Sequence, residues 1–138
     1  MTAYLTLFAW SFLAATIVPL GSEPALVVLV RREYPFWPLV AVATIGNYLG
    51  ACTTYWLAKR AAALVGAHHP AGTSLHRAAR LIASRGAPVL LLSWVPVLGD
   101  AIVAAAGAAG TPFGRFSLWT ALGKFLRYAA VAWAAGAI

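Results

Sequence analysis

Acidic side chains are nearly absent from this chain. Its 138 residues include three acids, Glu23, Glu33 and Asp100, against ten Lys or Arg, and charged residues make up only 9% of the whole. A water-soluble domain of this size cannot cover its surface with so few charges, which excludes the ordinary soluble enzyme or binding module. A single cysteine, Cys52, rules out an internal disulfide and a cysteine-based metal cluster. Its neighbours Gly50, Ala51 and Thr53 mark it as a small packing residue in a helix. No Lys or Arg precedes the apolar stretch 3–20, so the positive segment of a signal peptide is missing and the stretch reads as part of the mature fold. The sequence also has no serine nucleophile elbow, phosphate-binding glycine loop or metal-ligand helix pair. Ser93 and His76 have no acid partner placed by sequence, so no enzyme and no cofactor is expected.

What remains is apolar. Hydrophobic residues make up 62% of the chain and the mean hydropathy is +0.83, which predicts an all-α integral membrane protein. The net charge of +7 does not predict nucleic-acid binding. The basic residues Lys59, Arg60, Arg77, Arg80 and Arg85 gather in one polar stretch, the pattern of a cytoplasmic loop.

The chain also repeats itself. Residues 11–61 lie on residues 88–138 without a gap, at an offset of 77, with roughly a fifth identity. Val18-Pro19 falls on Val95-Pro96, Glu23 on Asp100, Pro35-Phe36 on Pro112-Phe113, Gly46 on Gly123, Leu49 on Leu126 and Trp56 on Trp133. Prolines, a glycine, a tryptophan and one lone carboxylate per half carry the match. A single membrane domain over 1–138 is expected, with repeat one over 11–61, a polar basic linker over 62–87 and repeat two over 88–138.

Within each repeat an interrupted apolar segment precedes a long one. Residues 4–18 meet Pro19, Gly21 and Pro24, then a short run from Ala25 to Val30; Pro35 and Pro38 open a span to about Ala58. In the second half an apolar run reaches Val95, breaks at Pro96 and Gly99, resumes to Gly110, and Pro112 opens a span to about Ile138. Arg77 and Arg80, with Ala78, Ala79, Leu81 and Ile82 around them, predict a short interfacial amphipathic helix in the linker. A broken helix in lipid strands backbone groups, so such breaks persist where they line a cavity. Each interrupted segment reads as a re-entrant hairpin, the alternative being a proline-kinked span. A hairpin makes no net crossing and the following span makes one, so the halves take inverted topology. Positive-inside counting then puts the linker in the cytoplasm and both termini outside it.

The chemistry concentrates in a few charges. Glu23 and Asp100 sit beside the Pro/Gly breaks, while Lys124 and Arg127 share a helical face inside the last span. Charges at membrane depth cost at least ~2.5–3.5 kcal/mol and usually face an interior cavity. They read either as a polar midplane site, with carboxylates moving protons and cations holding an anionic group, or as a structural ion-pair clamp. Asn47, on which Lys124 falls, offers an amide to the same cavity or an interhelical hydrogen bond. Gly46 and Gly50 with Ala43 and Ala51 form a small-residue stripe for close helix packing within the fold or for dimerisation, so an oligomer stays open. His68, His69 and His76 read as a solvated loop rather than a metal site. Trp10, Trp37, Trp94 and Trp119 lie near segment ends, as interfacial anchors do.

These residues resemble a known family. Pro19-x-Gly21-x-Glu23, Gly46-Asn47-x-x-Gly50, Ser93-Trp94-Val95-Pro96-Val97-x-Gly99-Asp100 and Gly123-Lys124-x-x-Arg127-Tyr128 are similar to the DedA superfamily (VTT, or SNARE-associated, domain), in its short YqaA-like branch. The resemblance covers nearly the whole chain. It implies two opposed re-entrant hairpins in inverted repeats, and a proton-dependent role in returning polyprenyl phosphate or phospholipids across the bacterial inner membrane. Glu23 matches the family's acid. Where better-known members carry two arginines around the second hairpin's proline, this chain has Ser93 and Gly99.

Two functions are therefore expected. One is a proton-coupled transporter or scramblase for an anionic lipid headgroup, built on Glu23, Asp100, Arg127, Lys124 and Asn47, with Pro19, Gly21, Pro96 and Gly99 as hairpin breaks. The other is a non-transporting membrane protein whose charges clamp the fold and whose basic linker docks a partner or anionic lipid.

Overall fold

The computed structural model describes residues 1–16, 21–66, 72–95 and 98–137. All regular structure among them is helical: α1 (Thr2–Thr16), α2 (Glu23–Arg31), α3 (Phe36–Val65), α4 (Ser74–Arg85), a 3₁₀ segment (Ala87–Trp94), α5 (Leu98–Ala108) and α6 (Phe113–Ala137). The expected breaks at Pro19 and Pro96, together with His68 and His69, lie outside the described residues.

α3 organises the bundle. Pro35 precedes it and Pro38 falls in its first turn, where a missing N–H costs no helical hydrogen bond. With 30 residues it is the one described helix long and apolar enough, by length and composition, to cross a bilayer. At about 1.5 Å per residue it is roughly 45 Å long, more than the ~30 Å of hydrocarbon. It also runs past the end expected near Ala58 and into the linker, stopping at Gly66 with φ 86°. Ala61, Ala62, Ala63 and Leu64 are strong helix formers, and the Lys59 ammonium sits 4.9 Å over the Trp56 ring. Polarity in the sequence hid this extension.

Two further elements differ from expectation. α4 forms, capped by Thr73 accepting the His76 N–H at 3.2 Å and stopped at Gly86 with φ 74°. It does not merely lie at an interface: Ala78 and Ile82 are buried in a cluster with Val89, Leu90 and Ile102, against α5 and the 3₁₀ segment. The apolar run before Val95 is a 3₁₀ helix of eight residues, longer than most. It lies close on α6, where a Cβ at Gly123 would stand 2.7 Å from the Leu91 carbonyl.

Glycines set the helix spacing. A Cβ at Gly46 would stand 2.7 Å from Phe8 O, and one at Gly50 2.5 Å from Phe12 O. The small-residue stripe of α3 is thus occupied by the backbone of α1 within the same chain. α3 and α6 run antiparallel, with Trp37 stacked on Phe125, Tyr48 Oη donating to Ser117 Oγ at 2.6 Å, and Tyr55 packed on Phe113 and Phe116. Tyr55 Oη also donates to the Thr111 carbonyl.

Two apolar clusters result, one at each end of the α3–α6 pair. Leu7, Leu26, Leu39, Val40, Ala43, Tyr128 and Ala132 form the first, and Tyr55, Phe116, Leu90 and Ile102 anchor the second. Between them lies a buried polar layer from both helices: Thr44 and Asn47 of α3, Thr120 and Lys124 of α6. The outer surface is the reverse. Ile45, Leu49, Trp56, Leu118, Leu122, Leu126 and Trp133 are exposed, the inside-polar, outside-apolar distribution expected against lipid.

Along α3 and α6, many positions 77 apart are buried alike. Leu39 and Phe116, Gly46 and Gly123, Asn47 and Lys124, Ala51 and Tyr128, Tyr55 and Ala132 are buried; Leu49 and Leu126, Trp56 and Trp133 are exposed.

The close α1–α3 approach makes Gly50→Leu disruptive. The expected loss is about 1–3 kcal/mol, read as a lower Tm in detergent. Gly114, with open space around its Cβ position in the first turn of α6, provides the opposite case: Gly114→Ala is expected to raise stability by about 0.5–1 kcal/mol. Tyr55→Phe strands the Thr111 carbonyl and is expected to cost about 1 kcal/mol in the same measurement.

Candidate functional site

Two short helices deliver the acids. Glu23 is the first residue of α2 and Asp100 stands in the first turn of α5. A carboxylate there faces the positive end of the helix dipole. Local sequence enforces the placement. Pro24 is suited to the start of a helix. A Cβ at Gly21 would overlap the Glu23 carboxyl group, so glycine there leaves room for that side chain to fold back. Gly99 was expected as a break between segments, yet it lies inside α5. Its missing side chain lets α5 sit directly on the Ser93 carbonyl.

α6 delivers the cations. Its 25 residues are about 37 Å long, and Lys124 falls near the middle with only 2% exposure. Arg127 forms an ion pair with Glu23, their side chains 18% and 23% exposed. Lys124 interacts through space with Asp100 and Glu23, and Asp100 with Lys124 and Arg127. Glu23, Asp100, Lys124 and Arg127 therefore form one group of zero net formal charge. The third acid, Glu33, stands apart and exposed in the turn after α2.

Hydroxyls surround this group. Ser22 Oγ and Tyr128 Oη share a hydrogen bond of 2.5 Å, both residues being buried. That bond explains why Ser22, the residue before α2, makes no side-chain cap to its own helix. Tyr128 also lies in the electrostatic neighbourhood of Glu23 and Arg127. Asn47 is buried and its Nδ2 donates to the Ser11 carbonyl at 3.0 Å, so its amide ties α3 to α1. The hydroxyls of Ser11, Thr44, Ser93 and Thr120 are buried with no hydrogen-bond partner, although buried polar groups are normally satisfied. The layer thus has unused donors and acceptors next to its charges.

Sequence reasoning missed Ser11, Ser22 and Tyr128. Adjacency to Glu23 and Arg127 was the available signal for the last two; nothing in the sequence marked Ser11. Among the described residues, no three His, Cys, Asp or Glu side chains group to hold a metal.

Chemically, the arrangement can exchange protons at two carboxylates, hold an anion between an ammonium and a guanidinium, and hydrogen-bond to either. None of its members is a nucleophile paired with a base.

Comparison with known proteins agrees with this picture. The VTT domain family matches residues 18–135, a range that contains every charged member of the site. The chain is 38% identical over 132 residues to "Inner membrane protein YqaA" of Escherichia coli (strain K12), covering 92% of this chain and 87% of that protein. The same identity and coverage hold for the protein of that name from Shigella flexneri. An "Uncharacterized protein" of Haemophilus influenzae is 34% identical over 137 residues, covering 91% of this chain and 82% of its own length. No solved structure matches the chain. An apolar exterior, a charged interior and a match over most of its length make this chain a membrane protein of the VTT domain family, within the DedA superfamily.

Proposed function

We propose that the protein is a transporter or scramblase-like protein of the bacterial inner membrane that moves an anionic lipid headgroup, phospholipid or polyprenyl phosphate, with protons as the coupling ion. The observation carrying this reading is that Lys124, buried halfway along α6, stands with the half-buried Glu23–Arg127 ion pair and the half-buried Asp100. Such charges are rare at membrane depth and mark substrate or proton paths. The relatives named as inner membrane proteins support the location.

Inverted repeats are the architecture that best accounts for the rest. Support comes from the antiparallel α3–α6 pair, the matched burial of positions 77 apart, and two acids placed alike at the starts of α2 and α5. The packing is reciprocal as well: α5 packs on α3 and α2 on α6, while α1 packs on α3 and the 3₁₀ segment on α6. In this reading α1 with α2, and the 3₁₀ segment with α5, are the re-entrant hairpins. Rocking of one half against the other exposes the charged layer to each side in turn. The basic linker faces the cytoplasm.

Each acid has a defined setting for proton exchange. Glu23 faces Arg127, Lys124 and Tyr128; Asp100 faces Lys124 and Arg127. A proton on either acid leaves the layer with net positive charge, ready for an anion. Loss of the proton restores neutrality and expels the anion.

The direct Glu23–Arg127 contact favours a second reading, a structural clamp. The two readings separate experimentally. Arg127→Leu leaves Glu23 without its ion-pair partner and is expected to destabilise the fold by about 3–5 kcal/mol. The pair Glu23→Gln with Arg127→Gln is expected to recover most of that stability without recovering transport; recovery of both would establish the clamp.

In proteoliposomes, Glu23→Gln and Asp100→Asn are each expected to abolish pH-dependent lipid translocation while the protein still folds. Wild-type rates in both variants would remove the proton role. For orientation, a cysteine at Ser84, an exposed position of α4, with Cys52 replaced by Ala, is expected to react with an impermeant maleimide only from the cytoplasmic side.

A further inference from the structure

Little apolar packing holds α2 in place. Among its nine residues Leu26 alone is buried, whereas α5, of eleven residues, buries seven. What fixes the start of α2 is a pair of side-chain links to α6 at consecutive positions. Glu23 pairs with Arg127. The residue before it, Ser22, shares a hydrogen bond of 2.5 Å with the residue after Arg127, Tyr128. The first link depends on charge and the second does not. Ser22 and Tyr128 are both buried, so water does not compete for the second.

We infer that Ser22 and Tyr128 are positioning residues: their hydroxyl pair is a charge-independent latch that keeps the Glu23 carboxyl beside Arg127 whether or not Glu23 holds a proton. Three observations carry this. Ser22 stands at the N-cap position of α2, where a serine ordinarily caps its own helix, yet its side chain makes no cap bond and reaches across to α6 instead. Tyr128 places a phenol hydroxyl in the interior, where it needs a partner, and Ser22 is that partner. The other half has no such pair. At the offset of 77, Ser22 falls on Gly99 and Tyr128 on Ala51, neither of which can hydrogen-bond through a side chain. Backbone contact holds α5 there: Gly99 sits on the Ser93 carbonyl and Gly107 on the Tyr55 carbonyl, approaches that leave no room for a Cβ.

The latch separates proton exchange from undocking. When Glu23 takes a proton its ion pair with Arg127 is lost, and with Leu26 alone buried α2 has little else to hold it. The hydroxyl pair keeps its charge in that event. α2 stays seated, and the same acid meets the same guanidinium when the proton leaves. The ionisable groups facing Glu23 are Arg127, Lys124 and Tyr128, all on α6. Of the other helices packed on α2, α1 carries one ionisable side chain, Tyr4, set edge-on to Tyr34. α3 carries Tyr48, hydrogen-bonded to Ser117, with Cys52, Tyr55, Lys59 and Arg60 further along, on the side of the other apolar cluster. The inference rests on the reading of the charged layer as a proton-exchanging site, but the latch itself is measured without transport.

The test is amide hydrogen exchange of the full chain in nanodiscs, read by mass spectrometry over α2 with α5 as internal reference. Glu23→Gln mimics the protonated acid and is expected to leave α2 exchange within about twofold of wild type. Adding Tyr128→Phe, which removes only the hydroxyl, is expected to speed it a further fivefold to tenfold, about the scale of one buried hydrogen bond, with α5 unchanged. Ser22→Ala in place of Tyr128→Phe is expected to do the same. With Glu23 intact, Tyr128→Phe is expected to make α2 exchange, corrected for the chemical rate, pH-dependent: slow where Glu23 is charged and about fivefold faster where it is protonated, while wild type stays flat. The inference is overturned if Glu23→Gln alone releases α2 as far as the double variants do, or if the double variants exchange like Glu23→Gln. It is also overturned if α2 exchange in Tyr128→Phe does not depend on pH, or if both hydroxyl variants speed exchange equally through α2, α5 and α6, which would make the bond a general support of the fold. The expected exchange pattern with no lipid translocation in proteoliposomes leaves the latch standing and contradicts transport. Translocation with the wild-type pH dependence in Tyr128→Phe, while α2 is released, contradicts the positioning role.

Discussion

A lysine ammonium with almost no solvent access halfway along α6 is the constraint on which this structure turns. Lys124 and, one turn on, Arg127 put two positive charges into α6 where lipid cannot solvate them. Two short helices, α2 and α5, each carry a carboxylate in the first turn, Glu23 paired directly with Arg127 and Asp100 in the electrostatic neighbourhood of Lys124 and Arg127. Those starts require particular residues: Gly21 for the folded-back Glu23 side chain, and Gly99 for the close seat of α5 on Ser93. The remaining architecture serves the same end. Gly46 and Gly50 bring α1 close enough for Ser11 to accept from Asn47, and Gly123 brings the 3₁₀ segment onto α6. Apolar clusters then close the layer at each end.

The same arrangement explains why the charges have functional capacity beyond stability. A fully satisfied buried network would be rigid. This one is not saturated: Ser11, Thr44, Ser93 and Thr120 carry hydroxyls without partners.

Much of this was legible in the sequence, and the rest was hidden for physical reasons. Rarity exposed the charges: with three acids in the chain, Glu23 and Asp100 could hardly be missed beside Pro/Gly breaks, and the three-residue spacing of Lys124 and Arg127 put them on one face. The repeat made the starts of α3 and α6 readable at Pro35 and Pro112, one residue before the helices begin at Phe36 and Phe113. The end of α3 was not readable, because Lys59 and Arg60 look like a loop until the aromatic rings beneath Lys59 are seen. The 3₁₀ geometry of Ala87–Trp94 was equally hidden, since an apolar run has the same composition in either helix type. Asn47 left two roles open, and only the position of α1 shows its amide bound to Ser11. Ser22 and Tyr128 meet across 106 positions of sequence, a distance no local pattern spans.

The central claim is that acids from two separate short helices jointly neutralise the cations of α6 inside the bundle. A double-mutant cycle on unfolding free energy between Asp100→Asn and Lys124→Met, in detergent at neutral pH, tests it most directly. Groups that interact in a buried network give coupling energies of about 0.5–3 kcal/mol, and a value in that range is the expected result. Additive effects of the two substitutions would mean that Asp100 and Lys124 do not share an environment, and would contradict the account.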